Sequence, residues 1–167
     1  MLETKLNRPK LFQGLLTRPH LIEKLERSSH LPFILISAPT GYGKSILISQ
    51  WLEQQGNGYC WLSLDESMSD STTFLSYFAK VLRRAYSAEM PGLNNLDQEY
   101  NFFTWEKIIG LIINEINGLS EHTRMILDDY HLIRNLEIHQ LISAIINENI
   151  SHFQLIIITR RDPPLQL

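Results

Sequence analysis

The sequence predicts an α/β fold: a parallel sheet flanked by helices and built around a phosphate-binding loop. Three observations carry that expectation. Continuous apolar runs of strand length alternate with segments of helical periodicity. The run Phe33-Ile34-Leu35-Ile36-Ser37 leads directly into Ala38-Pro39-Thr40-Gly41-Tyr42-Gly43-Lys44-Ser45. The remaining polar clusters of interest, at residues 128–129 and 159–160, also follow apolar runs. Strands without polar alternation belong to parallel sheets covered on both faces, and such sheets hold their ligands at the carboxyl ends of the strands.

The elements follow in order. Residues 1–30 form an irregular, Pro-containing arm and then a short helix, with Thr17 placed to cap it and Leu21, Ile22 and Leu25 on one face. Residues 31–167 form the core. After the glycine-bearing loop, Ile46, Leu47, Ile48, Trp51 and Leu52 suit a helix packed on a sheet, ended by Gly56-Asn57-Gly58. Tyr59–Leu64 is a short, aromatic-rich strand. Asp70 caps a helix over 71–86, with Phe74, Leu75, Phe78, Val81 and Leu82 at helical spacing. Pro91 to Asn101 is polar and turn-rich. A further helix carries Trp105, Ile108, Ile109, Ile112, Ile113 and Ile116 before Gly118. Met125–Asp129 is a buried strand that ends in two carboxylates. A helix with Leu136, Leu141, Ile142, Ile145 and Ile146 leads to the last strand, Phe153–Ile158, which runs into Thr159-Arg160-Arg161-Asp162-Pro163-Pro164. Trp51, Trp61 and Trp105 sit in apolar patterns and are assigned to the core.

Composition narrows the function. At 167 residues and 44% apolar content, the chain is about one domain, which buries roughly 70% of its unfolded surface. A net charge of -3 and a pI near 6.1 argue against a dedicated nucleic-acid-binding domain, for which a pI above about 9 is usual. Cys60 is the only cysteine, which fits a reducing, cytoplasmic setting and leaves no intrachain disulfide. The N-terminus has no apolar core of signal-peptide type, and no run approaches the roughly 18 apolar residues of a membrane span.

The chemistry resides in two paired features. Residues Ala38, Pro39, Thr40, Gly41, Tyr42, Gly43, Lys44, Ser45 and Ile46 are the candidate nucleotide-binding loop. Its backbone N–H groups and the following helix N-terminus suit phosphate oxygens. Lys44 reaches the β- and γ-phosphates, and Ser45 offers a hydroxyl to Mg²⁺. The usual pattern has Gly where this chain has Ala38, a mild departure. Asp128 is the second candidate metal ligand, and Asp129 is the candidate for orienting or deprotonating the attacking water. Arg160, beyond the last strand, is the candidate γ-phosphate contact, with Arg161 an equal claimant on composition. Arg18 is a candidate nucleotide contact from the N-terminal segment. The six histidines lack ligand spacing with any cysteine, and His131 reads as a packing or hydrogen-bonding residue. Asp65-Glu66 reads as a solvated turn or helix entry. The absence of an Asn-Lys-x-Asp motif favours adenine over guanine.

With these residues in view, the chain resembles the N-terminal NTPase domain of MalT-like LuxR-type (LAL) transcriptional regulators, within the STAND class of P-loop ATPases. The resemblance spans nearly the whole chain. It is carried by Thr4-Lys5-Leu6 with Arg8-Pro9, Leu16-Thr17-Arg18, the loop 37–45, Gln50-Trp51, Trp61–Glu66, Leu127-Asp128-Asp129-Tyr130-His131 and Thr159–Pro164. Ala38 also looks usual for that family. The resemblance implies an ASCE/STAND-type core and ATP or ADP with Mg²⁺ as cofactors. It also implies slow hydrolysis serving as a switch that controls self-association and DNA-binding activity. Catalytic roles would fall to Asp129, Lys44 and Arg160, and metal binding to Ser45 and Asp128. Inducer and DNA would be bound by further domains beyond Leu167, and the last strand of the core would also lie outside the chain. A small P-loop kinase or other ATPase enzyme is the alternative; it would need an acceptor site and an arginine-rich lid, for which neither Arg83-Arg84 nor Arg160-Arg161 is convincing.

Overall fold

The computed structural model describes residues 3–56, 58–86, 90–93 and 103–167. Four strands, β1 (Phe33–Ser37), β2 (Tyr59–Ser63), β3 (Thr123–Asp128) and β4 (Phe153–Thr159), form one parallel sheet in the order β1-β4-β3-β2. Among the described residues five α-helices flank it: α1 (Pro19–Arg27), α2 (Lys44–Gln55), α3 (Ser71–Tyr86), α4 (Trp105–Asn117) and α5 (Leu136–Asn147). This is a P-loop NTPase-like α/β architecture.

Side chains alternate across the pleat, so each apolar strand supplies both faces. Cys60, Leu62, Met125, Leu127, Leu155 and Ile157 pack under α3, α4 and α5. Ile34, Trp61, Ile126, Ile156 and Ile158 pack with Ile22 and Leu25 of α1 and with Ile48, Trp51 and Leu52 of α2. All seven residues of β4 are buried, as the middle of a doubly covered sheet requires.

Local chemistry sets the helix starts. Asp70 Oδ2 accepts from the Thr73 N–H at 2.8 Å, and Asn135 Oδ1 accepts from the Glu137 N–H at 2.9 Å. Thr104 plays the same part for α4. The Thr17 cap is corrected: Arg18 is the N-cap residue of α1, without a side-chain cap bond, and Pro19 opens the helix. Proline at the first helical position has a φ already set for the first turn and removes one of the N–H groups left unpaired there. Leu136, placed on the apolar face of its helix, is 71% exposed. It precedes buried Ile138 by two positions, about 200° around a helix of 3.6 residues per turn. Trp105 is half-buried at the margin of the core, its indole N–H donating to the Glu137 carbonyl at 3.1 Å. Asp129, expected within the strand, lies just beyond it.

The arm runs across the β2 edge. Its 3₁₀ turn Glu3–Leu6 buries Leu6, Lys5 pairs with Asp65, and Lys80 donates to Glu3 at 2.6 Å. Arg8 donates to the Ser49 carbonyl at 2.8 Å and to the Tyr59 hydroxyl at 3.0 Å, and pairs with Glu53. Asp65 also caps the short turn Glu66–Ser69, the helix-entry role read from the sequence. Of the turn-rich stretch, Pro91–Leu93 forms a 3₁₀ turn; residues 94–101 lie outside the described residues, as does Asn57.

Candidate functional site

The loop after β1 is tied at its base, where the Ala38 N–H donates to the Thr159 carbonyl of β4 at 3.3 Å. It then turns through Gly41 (φ +83) and Gly43 (φ +71), the latter serving as N-cap of α2. Both angles fall in the region that L side chains avoid, so glycine is what allows the backbone to curl. The helix begins at Lys44, which sets its N-terminal N–H groups and positive dipole end at the mouth of the loop. Lys44 Nζ donates to the carbonyls of Ala38 at 2.7 Å and Pro39 at 3.1 Å.

Ser45 Oγ donates to Asp128 Oδ1 at 2.9 Å. Asp128 ends β3 and is 5% exposed. Burial pushes its carboxyl up to about 6; Ser45 works against the shift, and neighbouring Asp129 adds to it. Asp129 adopts a left-handed backbone (φ 58, ψ 36) and donates its N–H to Asp128 Oδ1 at 3.0 Å. That turns the second carboxylate out of the strand and toward the loop. A cavity of about 290 Å³ is lined by Thr40, Gly41, Gly43, Lys44, Ser45, Ile46, Asp129 and Arg160. Larger clefts beside β1 (about 510 Å³) and β2 (about 610 Å³) lack this convergence of charged groups from three strand ends.

The two claimant arginines separate here. Arg160 faces the loop cavity, whereas Arg161 lines a neighbouring cleft of about 360 Å³ with Tyr130, His131, Arg134 and His139. Arg18 reaches the loop from the other side, donating to the Tyr42 carbonyl at 2.8 Å. Ala38 and Pro39 face inward only through the carbonyls that hold Lys44. His131, read from the sequence as a packing or hydrogen-bonding residue, is packed beside Asp129, and two relations here were not read from the sequence: that approach and the Tyr130–His139 bond. His131 stands 3.8 Å from Asp129 Oδ1, its side chain only 10% exposed, and neither ring nitrogen has a hydrogen-bond partner among the described residues. Burial and then Arg160 lower its pKa. Tyr130 and His139 are bonded behind the acidic turn. Position two after a strand-end acid is a faint signal for the first, and nothing in the spacing signals the second.

The donor set fits Mg²⁺. A hydroxyl and a carboxylate, both hard oxygens, lie together, and Mg²⁺ is commonly held by one or two carboxylates with waters and phosphate oxygens. The raised Asp128 carboxyl is that of a buried anion without a full counter-charge, which a cation would supply.

No protein-family model matches the chain. Curated relatives do. A protein of Yersinia pestis named HTH-type transcriptional regulator MalT is 30% identical over 165 residues, 99% of this chain and 18% of the relative. One of the same name from Vibrio campbellii is 27% identical over 162 residues, 97% of this chain and 18% of the relative. The chain is homologous to a segment of the MalT regulators. It spans about a fifth of the length of these MalT relatives; because the match takes in 97–99% of this chain, the loop, the paired aspartates and the arginine-bearing strand end fall within the shared segment. Among the described residues, no helix is long and apolar enough to cross a membrane.

Proposed function

We propose that the chain is the nucleotide-binding switch module of a MalT-like transcription activator in the cytoplasm, holding Mg-ATP or Mg-ADP and hydrolysing ATP slowly. The observation that carries this is the bond between Ser45 and Asp128, which unites the loop and the acidic strand end at a cavity edged by Lys44, Asp129 and Arg160.

The loop N–H groups and the α2 N-terminus take phosphate oxygens. Lys44 exchanges the Ala38 and Pro39 carbonyls for the β- and γ-phosphates. Ser45 and Asp128 hold Mg²⁺, which neutralises phosphate charge when bound. Asp129 orients a water against the γ-phosphorus and accepts its proton as the bond to the β–γ bridging oxygen breaks. Arg160 contacts the γ-phosphate, and Arg18 steadies the loop through Tyr42. A switch requires contacts that differ between its two states; Arg160 supplies one, since its partner is present in ATP and absent in ADP. DNA and inducer recognition fall to other parts of such a regulator, whose self-association follows the bound nucleotide.

Calorimetric titration with Mg-ATP and Mg-ADP tests the reading. Binding by the wild-type chain, weakened at least about 100-fold in Lys44→Ala (near 3 kcal/mol), is the expected result. A folded wild-type chain that gives no binding heat overturns it.

A further inference from the structure

The turn that carries Asp129 has an anchor of its own. Directly after Asp129 the chain enters the 3₁₀ turn Tyr130–Leu132, closed by Leu132 N–H to the Asp129 carbonyl at 3.1 Å and Ile133 N–H to the Tyr130 carbonyl at 3.0 Å. Aspartate tolerates the left-handed region better than most L residues, but the conformation is still sparsely populated for a non-glycine residue, and it fixes where the carboxylate points. Strain of that kind persists only where the surroundings over-determine it.

The Asp128 carboxylate accepts the Asp129 N–H and the turn closes on its own carbonyls; the next side chain, Tyr130, ties that turn to the core. Tyr130 is fully buried, and its hydroxyl shares a hydrogen bond of 2.8 Å with Nδ1 of His139, which is 5% exposed on α5. The rings lie 5.5 Å apart at 56°. The apolar part of Tyr130 packs in the larger core cluster, so both ends of the side chain are fixed. Its backbone is thereby placed between a rigid strand and a rigid helix. The pair also borders the cleft lined by Arg161, the residue after Arg160.

We infer that Tyr130 and His139 form a positioning pair, a buried strut from α5 that holds the Asp129 carboxylate in line with the loop cavity. Neither residue touches the cavity itself. The inference rests on the proposed role of Asp129 in hydrolysis. A misplacement of about 1 Å at a reacting group lowers a rate by roughly 100-fold, so a strut that sets Asp129 governs turnover more than binding.

The test compares wild type, Tyr130→Phe, His139→Gln and His139→Leu in two measurements. Amide hydrogen exchange in the ligand-free chain reads the strut without recourse to activity. In Tyr130→Phe the Leu132 and Ile133 amides are expected to exchange at least tenfold faster, while the amides of β4 keep their protection. Steady-state hydrolysis with Mg-ATP then reads the consequence: turnover falls at least tenfold in Tyr130→Phe and His139→Leu, with ATP affinity within about threefold of wild type. His139→Gln, whose amide still meets the Tyr130 hydroxyl, recovers a larger share than His139→Leu. Wild-type exchange at Leu132 and Ile133 in Tyr130→Phe overturns the strut, as does a loosened turn with unchanged turnover. A wild-type chain that neither binds nor hydrolyses ATP, with exchange as expected, overturns the functional reading and leaves the strut standing.

Discussion

Ser45 and Asp128, 83 residues apart in sequence, meet at 2.9 Å, and their meeting joins the loop that opens α2 to the carboxyl end of β3. The bond is formed across β4, which separates the two parent strands in the sheet. It fixes the two side chains against each other beside the loop.

Asp128 makes stability fall as pH rises. Its folded-state pKa of about 6 lies above the ordinary 3.8, so between those values the folded chain holds more protons than the unfolded one. Stability contributed by the protonated form is therefore lost across roughly pH 4 to 6, and the full penalty stands above it. Two pKa units correspond to about 3 kcal/mol as an upper figure. Asp128→Asn is expected to raise Tm at pH 7.5, to flatten the pH 4–6 portion of the profile, and to weaken Mg-dependent nucleotide binding. Thermal unfolding across that pH range, with calorimetry at pH 7.5, checks all three.

Buried His139 acts in the opposite sense. Its pKa is lowered by burial, so the unfolded chain takes up protons first on acidification. Stability due to the neutral ring is present above about pH 6.5 and is lost as pH falls below it. Denaturant unfolding at pH 5 and 7 is expected to show a smaller difference in His139→Gln than in wild type.

Gly43→Ala places an L side chain at φ +71, where the added Cβ meets no atom within 4 Å. The cost is conformational, about 1–2 kcal/mol. Lower stability with the α2 fold intact, measured by urea unfolding and circular dichroism, is the expected outcome. Phosphate-side affinity should fall with it.

Arg8→Ala should loosen the arm. The guanidinium is largely sheltered and holds a helix carbonyl, a phenol and a carboxylate at once. Bonds to a charged group contribute about 1.5–3 kcal/mol, so a loss near 2 kcal/mol and faster proteolytic clipping before residue 10 are expected. Arg27→Ala, which removes an exposed pair with Glu23, serves as the control and should change little.

Most of the fold was legible because strands and helices here obey their periods. Phe33–Ile36 and Leu155–Ile158 are unbroken apolar runs, and Asp70 caps its helix as expected. The loop residues and the two aspartates were readable for the same reason: glycine, lysine and acid stand at strand ends. Thr17 misled because the helix opens at Pro19, a residue suited to the first helical position, which makes Arg18 and not Thr17 the N-cap residue. Leu136 misled because one extra leucine ahead of an apolar stripe looks continuous with it in one dimension. Which arginine faces the loop depends on the local course of the backbone after β4, which composition does not encode. The Tyr130–His139 bond needs α5 to fold back on its own preceding turn, a relation that exists only in three dimensions.

The placement of β4 bears on how the molecule comes into being. It follows β1, β2 and β3 in sequence, yet it occupies an interior lane with partners on both sides. Until residues 153–159 slot in, β1 and β3 have no shared neighbour, and the Ala38 amide lacks its carbonyl on Thr159. Pairing across such long sequence separations is slow to nucleate. A nascent chain that ends before β4 therefore carries the loop and both acidic residues of the pocket without the scaffold that unites them, so the site is assembled only once β4 has paired.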